Sequence, residues 1–132
     1  MAIETIPVLL IDDQPLVAAA MRRLLAAAPE FVMQHCADPC RGVAQVEESR
    51  PALVIVDMVM PGMGGLEVIR RLRENLVTAT VPVVMMSSID DPQVKAESLD
   101  TGADDYLTKL PDGKELIARL RALLRRARWS RG

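Results

Sequence analysis

The sequence predicts an α/β protein, a single domain built as one doubly wound (βα)5 unit around a five-stranded parallel sheet. Length is the first reason: 132 residues suffice for one hydrophobic core and no second folding unit. Composition is the second. Half of the residues are hydrophobic and 26% are charged, which excludes a disordered or collagen-like chain. The third is pattern: short apolar runs alternate with longer segments of helical period. Because the runs are unbroken, they read as strands covered on both faces.

Taken in order, the first run is 8–11 (VLLI), followed by a helical stripe of Leu16, Val17, Ala20, Met21, Leu24 and Leu25. The second, 31–33 (FVM), leads to a helix expected over 39–48. The third, 53–56 (LVIV), leads to a helix over 64–75, with Gly62, Gly64 and Gly65 shaping the turn into it. Their spacing fits neither GxGxxG nor a P-loop, so nucleotide binding is not read from them. The fourth run, 83–86 (VVMM), precedes a helix over 91–101 whose Val94, Ala96 and Leu99 form the poorest stripe, as expected of a loosely held element. A weak fifth strand at Tyr106 and Leu107 comes before the stripe of Leu116, Ile117, Leu120, Leu123, Leu124 and Ala127.

Composition removes several function classes. The only aromatics are Phe31, Tyr106 and Trp129, too few for a platform that stacks bases or sugars. No apolar run reaches the roughly 18 residues of a membrane span, and the start MAIETIPVLL lacks the pattern of a leader, so the chain reads as cytoplasmic. Cys36 and Cys40 match neither a CxxC pair nor half of a zinc site, and His35 is the single histidine available to any catalytic triad. The eight methionines read as core filler. Net charge is −2, but from Asp112 onward the balance is +5, leaving −7 on the body. An acidic body with a basic last helix suggests a polar contact surface or a helix continuing towards another element, with nucleic acid a weak third reading.

In open parallel sheets, ligands bind beyond the carboxyl ends of the strands. Polar residues follow the apolar runs there: Asp12 and Asp13, Asp57, Ser87 and Ser88, and Lys109. Any one alone reads as a loop acid or a helix cap. Together they form a site. Three crowded carboxylates call for a proton or a cation, and hard oxygen ligands in small number favour Mg2+. Lys109 adds a point charge for phosphate oxygen, Ser87 a hydrogen bond, and a carboxylate nucleophile would give an acyl phosphate.

The acidic pair Asp12 and Asp13, Asp57 followed by Met60-Pro61-Gly62, Ser87, GADDY at 102–106 and Lys109 resemble the receiver domain of two-component response regulators, a flavodoxin-like fold, over 8–124. The resemblance implies that Asp57 accepts a phosphoryl group from a histidine kinase, a phosphotransfer protein or a small donor such as acetyl phosphate. Asp13, Asp57 and the backbone carbonyl of Val59 would hold Mg2+, with Asp12 acting through a water on the ion. Ser87 and Tyr106 would be the switch pair, the aromatic turning inward and reshaping the face of the fourth helix, fifth strand and fifth helix. A homodimer through that face is expected, Arg119, Arg121 and Arg126 meeting Asp100, Asp104 or Asp105 of the mate. Val59 and Ile89 would stand at the rim of the approach for a hydrolytic water, two residues beyond Asp57 and Ser87.

Family members usually place proline directly after the lysine, whereas here Leu110 intervenes before Pro111. A cis bond is therefore expected at Leu110-Pro111. KLPD at 109–112 and CADP at 36–39 resemble receivers ahead of diguanylate cyclase (GGDEF) outputs. Residues 1–128 are expected to be the receiver and 129–132 a tail or the start of a linker, with the output unknown and no direct contact with nucleic acid or membrane. The rival reading is a phosphatase-type enzyme with an aspartyl-phosphate intermediate, which needs an acid two residues after the nucleophile; Asp57-Met58-Val59 supplies none. A flavin binder is disfavoured by acidic loops where the flavin phosphate would sit.

Overall fold

A computed structural model describes residues 4–130, with side chains through Ala127; the side chain of Trp129 lies outside the described residues. Five parallel strands form one sheet in the order β2-β1-β3-β4-β5. The strands are β1 (Ile6–Ile11), β2 (Phe31–Cys36), β3 (Leu53–Asp57), β4 (Val83–Ser87) and β5 (Asp105–Thr108). The helices are α1 (Pro15–Leu25), α2 (Gly42–Ser49), α3 (Gly65–Glu74), α4 (Pro92–Thr101) and α5 (Gly113–Ser130).

Side chains alternate across a strand, so an unbroken apolar run feeds two cores at once. Val8, Leu10, Leu53, Ile55, Val84, Met86 and Leu107 pack under α1 and α5 against Met21, Leu25, Leu116 and Leu120. Leu9, Ile11, Val54, Val56, Val83 and Met85 face the other way, against Val46 of α2 and Val68, Ile69 and Leu72 of α3. Each such fully buried aliphatic side chain contributes about 1.5–3 kcal/mol relative to exposure.

Two elements depart from the sequence reading. β2 pairs only with β1, and Val32 is 47% exposed, so 31–33 is part of an edge strand and not a run covered on both faces. The helix expected over 39–48 splits into a 3-10 turn at Pro39–Arg41 and then α2. Asp38 accepts from the Cys40 backbone N–H to start the turn, and Gly42 passes so close to Ile11 that a β-carbon there would lie 2.9 Å from its Cδ1. The weak stripe of α4 is as expected: among its residues only Ser98 is buried, and Leu99 is 47% exposed.

Register carries the four strand ends to one level. Ile11 lies opposite Val56, Asp57 opposite Met86, and Ser87 opposite Thr108. The acids after β1 and at the end of β3 therefore meet, with Ser87 and Lys109 on the far side.

Candidate functional site

Asp12 is fully buried, its N–H donating to the Cys36 carbonyl at 3.1 Å, which extends the β1–β2 ladder by one residue. Its two carboxylate oxygens differ. Oδ1 accepts from the Gln14 N–H at 2.8 Å, whereas Oδ2 has no hydrogen-bond partner. The Asp12 carbonyl oxygen lies 2.7 Å from His35 Nε2; a carbonyl can only accept, so that nitrogen carries the proton. The one histidine thus supports the backbone of an acid, a role that no motif in the sequence announces.

Asp57 ends β3 and is 4% exposed. Two glycines shape the loop after it. Gly62 has φ +85°, and at Gly65 a β-carbon would lie 2.4 Å from the Asp57 carbonyl oxygen, so α3 starts hard against the acid-bearing backbone. Lys109 Nζ reaches across from the end of β5, 3.2 Å from Asp57 Oδ1 and 3.4 Å from Asp12 Oδ2. Burial, then the neighbouring Asp12 charge, push the Asp57 carboxyl above its ordinary range, and Lys109 offsets part of that.

Carboxylate oxygens of Asp12, Asp13 and Asp57 lie within 4.8 Å of one another, so the three could hold a metal ion. The orphaned oxygens lead to the same conclusion independently. Asp12 Oδ2 and Asp13 Oδ1 are buried without a hydrogen-bond donor, and one lysine cannot neutralise three crowded carboxylates. An all-oxygen donor set of this size fits a hard divalent cation.

Ser87, 1% exposed, accepts the Ile89 N–H on Oγ at 3.0 Å. Tyr106 is turned inward, 8% exposed within the core between the sheet and α2 and α3, and its hydroxyl donates to the Ile89 carbonyl at 2.5 Å. Lys95 Nζ stands 5.8 Å from the centre of its ring. Val59 is 68% exposed and Ile89 39%, each in the loop that leaves an end of β3 or β4.

The loop after Lys109 requires a correction. The cis bond is Lys109-Leu110, and Leu110-Pro111 is not cis. Lys109 and Leu110 lie in a bend after β5, and the lysine side chain reaches Asp12 and Asp57. A second correction concerns Arg121, which pairs with Glu30 at 2.7 Å near the start of β2 and does not face α4. Two residues along a helix is about 200° of rotation, which separates it from Arg119. Arg119 itself pairs with Asp105 at 3.2 Å and Glu115 at 3.0 Å within the chain.

A model of the response regulator receiver domain matches residues 8–121, most of the chain and all of the strand ends that form the site. The chain belongs to this family. Receiver domains of this family act in phosphorylation-based signalling, and the phosphatase reading is not favoured. It is 39% identical over 119 residues to the DNA-binding dual master transcriptional regulator RpaA of Synechocystis sp., covering 90% of this chain and 49% of that protein. To the DNA-binding response regulator MtrA of Mycolicibacterium smegmatis it is 38% identical over 119 residues, covering 90% and 50%. The chain thus spans about half the length of the curated relatives it matches. The crystal structure of a response regulator from Desulfuromonas acetoxidans superposes with a TM-score of 0.81 at 27% identity, over 91% of this chain and 97% of that one. The likeness to receivers ahead of diguanylate cyclases is not borne out by these relatives, two of which are named as DNA-binding regulators. No helix among the described residues is long and apolar enough to cross a membrane.

Proposed function

We propose that Asp57 is the phosphoryl acceptor of a signalling receiver. One observation carries the reading: Asp57, at a strand end, has Lys109 Nζ 3.2 Å from its Oδ1 and stands beside two acids that each bury an oxygen without a donor. An Asp57 oxygen attacks phosphorus, the bond from phosphorus to the donor breaks, and its electron pair leaves with the donor's nitrogen or oxygen. Lys109 pairs with a phosphoryl oxygen, and Ser87 donates its hydroxyl proton to another. Asp12, Asp13, Asp57 and the Val59 carbonyl are the groups for Mg2+, which when bound supplies the positive charge that the crowded carboxylates and phosphoryl oxygens require.

In this reading the donor is a histidine kinase, a phosphotransfer protein or a small phosphodonor. Ser87 and Tyr106 are the switch pair, and the face of α4, β5 and α5 is the surface they control, through a homodimer, an output domain or a partner protein. Residues 1–128 form the receiver and 129–132 its tail or a linker, in the cytoplasm and with no contact of its own to nucleic acid. The DNA binding named for the relatives would belong to chain beyond the matched half. The receiver regulates and turns over no external substrate.

Intact mass after treatment with acetyl phosphate and Mg2+ tests this. The expected result is one phosphoryl adduct, absent from Asp57→Asn. An adduct at full yield in that variant assigns the acceptor elsewhere, and steady phosphate release from a range of monoesters would favour the enzyme.

A further inference from the structure

Both peptide planes that flank Asp12 are tied to β2. The plane before it is fixed by the Asp12 N–H, which donates to the Cys36 carbonyl at 3.1 Å. A parallel ladder would continue from the Asp12 carbonyl to the N–H of Asp38, but β2 ends at Cys36, and among the described residues no backbone N–H reaches that carbonyl. The half-buried His35 side chain takes its place, with Nε2 2.7 Å from the carbonyl oxygen. This oxygen belongs to the peptide whose nitrogen is that of Asp13, and a planar peptide held at one atom orients the residues on both sides of it. Within the Asp12 side chain, Oδ1 is held by the Gln14 N–H at 2.8 Å. Asp12 Oδ2 and Asp13 Oδ1 are left buried without a hydrogen-bond donor.

We propose that His35 is a positioning residue for Mg2+, because its Nε2–H holds the Asp12–Asp13 peptide so that the carboxylates on either side of it stay converged. The inference rests on the reading of Asp12, Asp13 and Asp57 as the groups for that ion. Their carboxylate oxygens lie within 4.8 Å of one another, and like charges at that distance repel. Lys109 relieves the repulsion at Asp12 and Asp57, from 3.4 and 3.2 Å, whereas Asp13 has no ion pair among the described residues. Asp13 is therefore the acid with most to gain by moving away, and the peptide it shares with Asp12 is the joint on which it would swing. The hydrogen bond from His35 opposes that rotation. Metal-free protein thus keeps the oxygens in place, and binding the ion costs less rearrangement.

Titration calorimetry of metal-free protein with Mg2+, at one pH, tests this in the native chain and in three variants. His35→Phe keeps a ring without a donor, His35→Leu removes both, and His35→Gln restores an amide N–H at about the reach of Nε2. The Phe and Leu variants are expected to bind Mg2+ about tenfold more weakly, and the Gln variant to stay within about twofold of the native chain. Urea unfolding gives a second readout. The extra resistance conferred by a fixed Mg2+ concentration should shrink in His35→Phe and His35→Leu and persist in His35→Gln, whereas a role confined to folding would lower stability equally with and without the ion. Asp13→Asn reads the metal site by itself. Weaker binding in Asp13→Asn with native affinity in His35→Phe overturns the proposal and leaves the metal site standing. Loss of affinity in His35→Leu alone, or in His35→Gln as much as in His35→Phe, also overturns it, assigning the effect to packing. A native chain that binds no Mg2+, or an Asp13→Asn variant that binds it equally well, removes the metal reading, and the proposal with it.

Discussion

At the scale of single residues, the acids carry a cost that the fold tolerates for chemistry. The Asp57 carboxyl is raised chiefly by burial and by the Asp12 charge, so the folded state holds its proton more tightly than the unfolded chain does. Stability from this group is therefore fully present below the ordinary carboxylate range and is lost as pH rises through the raised value. In the absence of divalent cation, Asp57→Asn is expected to be more resistant to urea than the native protein at pH 7, and the difference should shrink as pH approaches 4. A constant difference across that window would show that Asp57's charge is not what strains the site. Asp13→Asn should weaken Mg2+ binding, measured by titration calorimetry, more than it perturbs folding, because Asp13 Oδ1 has no donor in the fold to lose. The two cysteines stay outside this chemistry. Burial pushes the Cys36 thiol up, and Cys40 lies exposed on the turn before α2.

At the scale of elements, the helices are held very unequally. α5 buries Leu116, Ile117, Leu120 and Leu123 against the sheet, whereas α4 offers only Ser98 as a buried residue and spends that hydroxyl on the Val94 carbonyl at 2.9 Å. Leu116→Ala is expected to cost about 2–5 kcal/mol in urea unfolding, and Leu99→Ala under about 0.5 kcal/mol. Equal costs would mean that α4 is docked as firmly as α5. What fixes the C-terminal end of α4 is Arg73 of α3. Its guanidinium donates to the Gly102 carbonyl at 2.8 and 3.0 Å, to the Val81 carbonyl at 2.6 Å and to Asp104 at 3.1 Å. A β-carbon at Gly102 would come within 2.8 Å of this side chain, and the φ of +132° there is itself unfavourable for any other residue. α4 is thus pinned at one end by Arg73 and tied at the other through Ile89 and Lys95, with little core between. That distribution suits an element whose position is to be biased by a single charged group.

For the whole molecule, the face of α4, β5 and α5 carries a groove lined by Leu99, Asp104, Asp105, Glu115, Ala118, Arg119, Ala122 and Arg126. Acidic and basic side chains lie together there, which permits a two-fold contact in which each pair is used twice. Because Arg119 is already paired with Asp105 and Glu115, such a contact exchanges partners more than it adds charge pairs, and it should be weak and salt-sensitive. Sedimentation with and without beryllofluoride and Mg2+ is expected to show stronger self-association with the phosphoryl mimic, reduced by Arg119→Ala and by salt. Arg121→Ala should leave it unchanged, since that side chain is directed to Glu30. No shift in association would remove the homodimer as the output of this surface.

The alternation of unbroken apolar runs with helical stripes already determined the fold class, because a strand covered on both faces must be apolar at every position, and four of the five runs obey that. The clustering of the acids and Lys109 was equally legible, since in such a sheet the strand ends converge and these residues, like Ser87, lie within two positions of the ends of the runs. What composition and spacing could not decide was set by contacts distant in sequence. β2 became an edge because strand order, and not its own residues, left it one neighbour. Helical phase alone turns Arg121 away from Arg119, but only the fold brings Glu30, far back in the chain, to that side of α5 as its partner. Ile89 became the joint between Ser87 and Tyr106 through its backbone, and a backbone N–H and carbonyl are the same at every residue but proline, so only tertiary structure could distinguish this one.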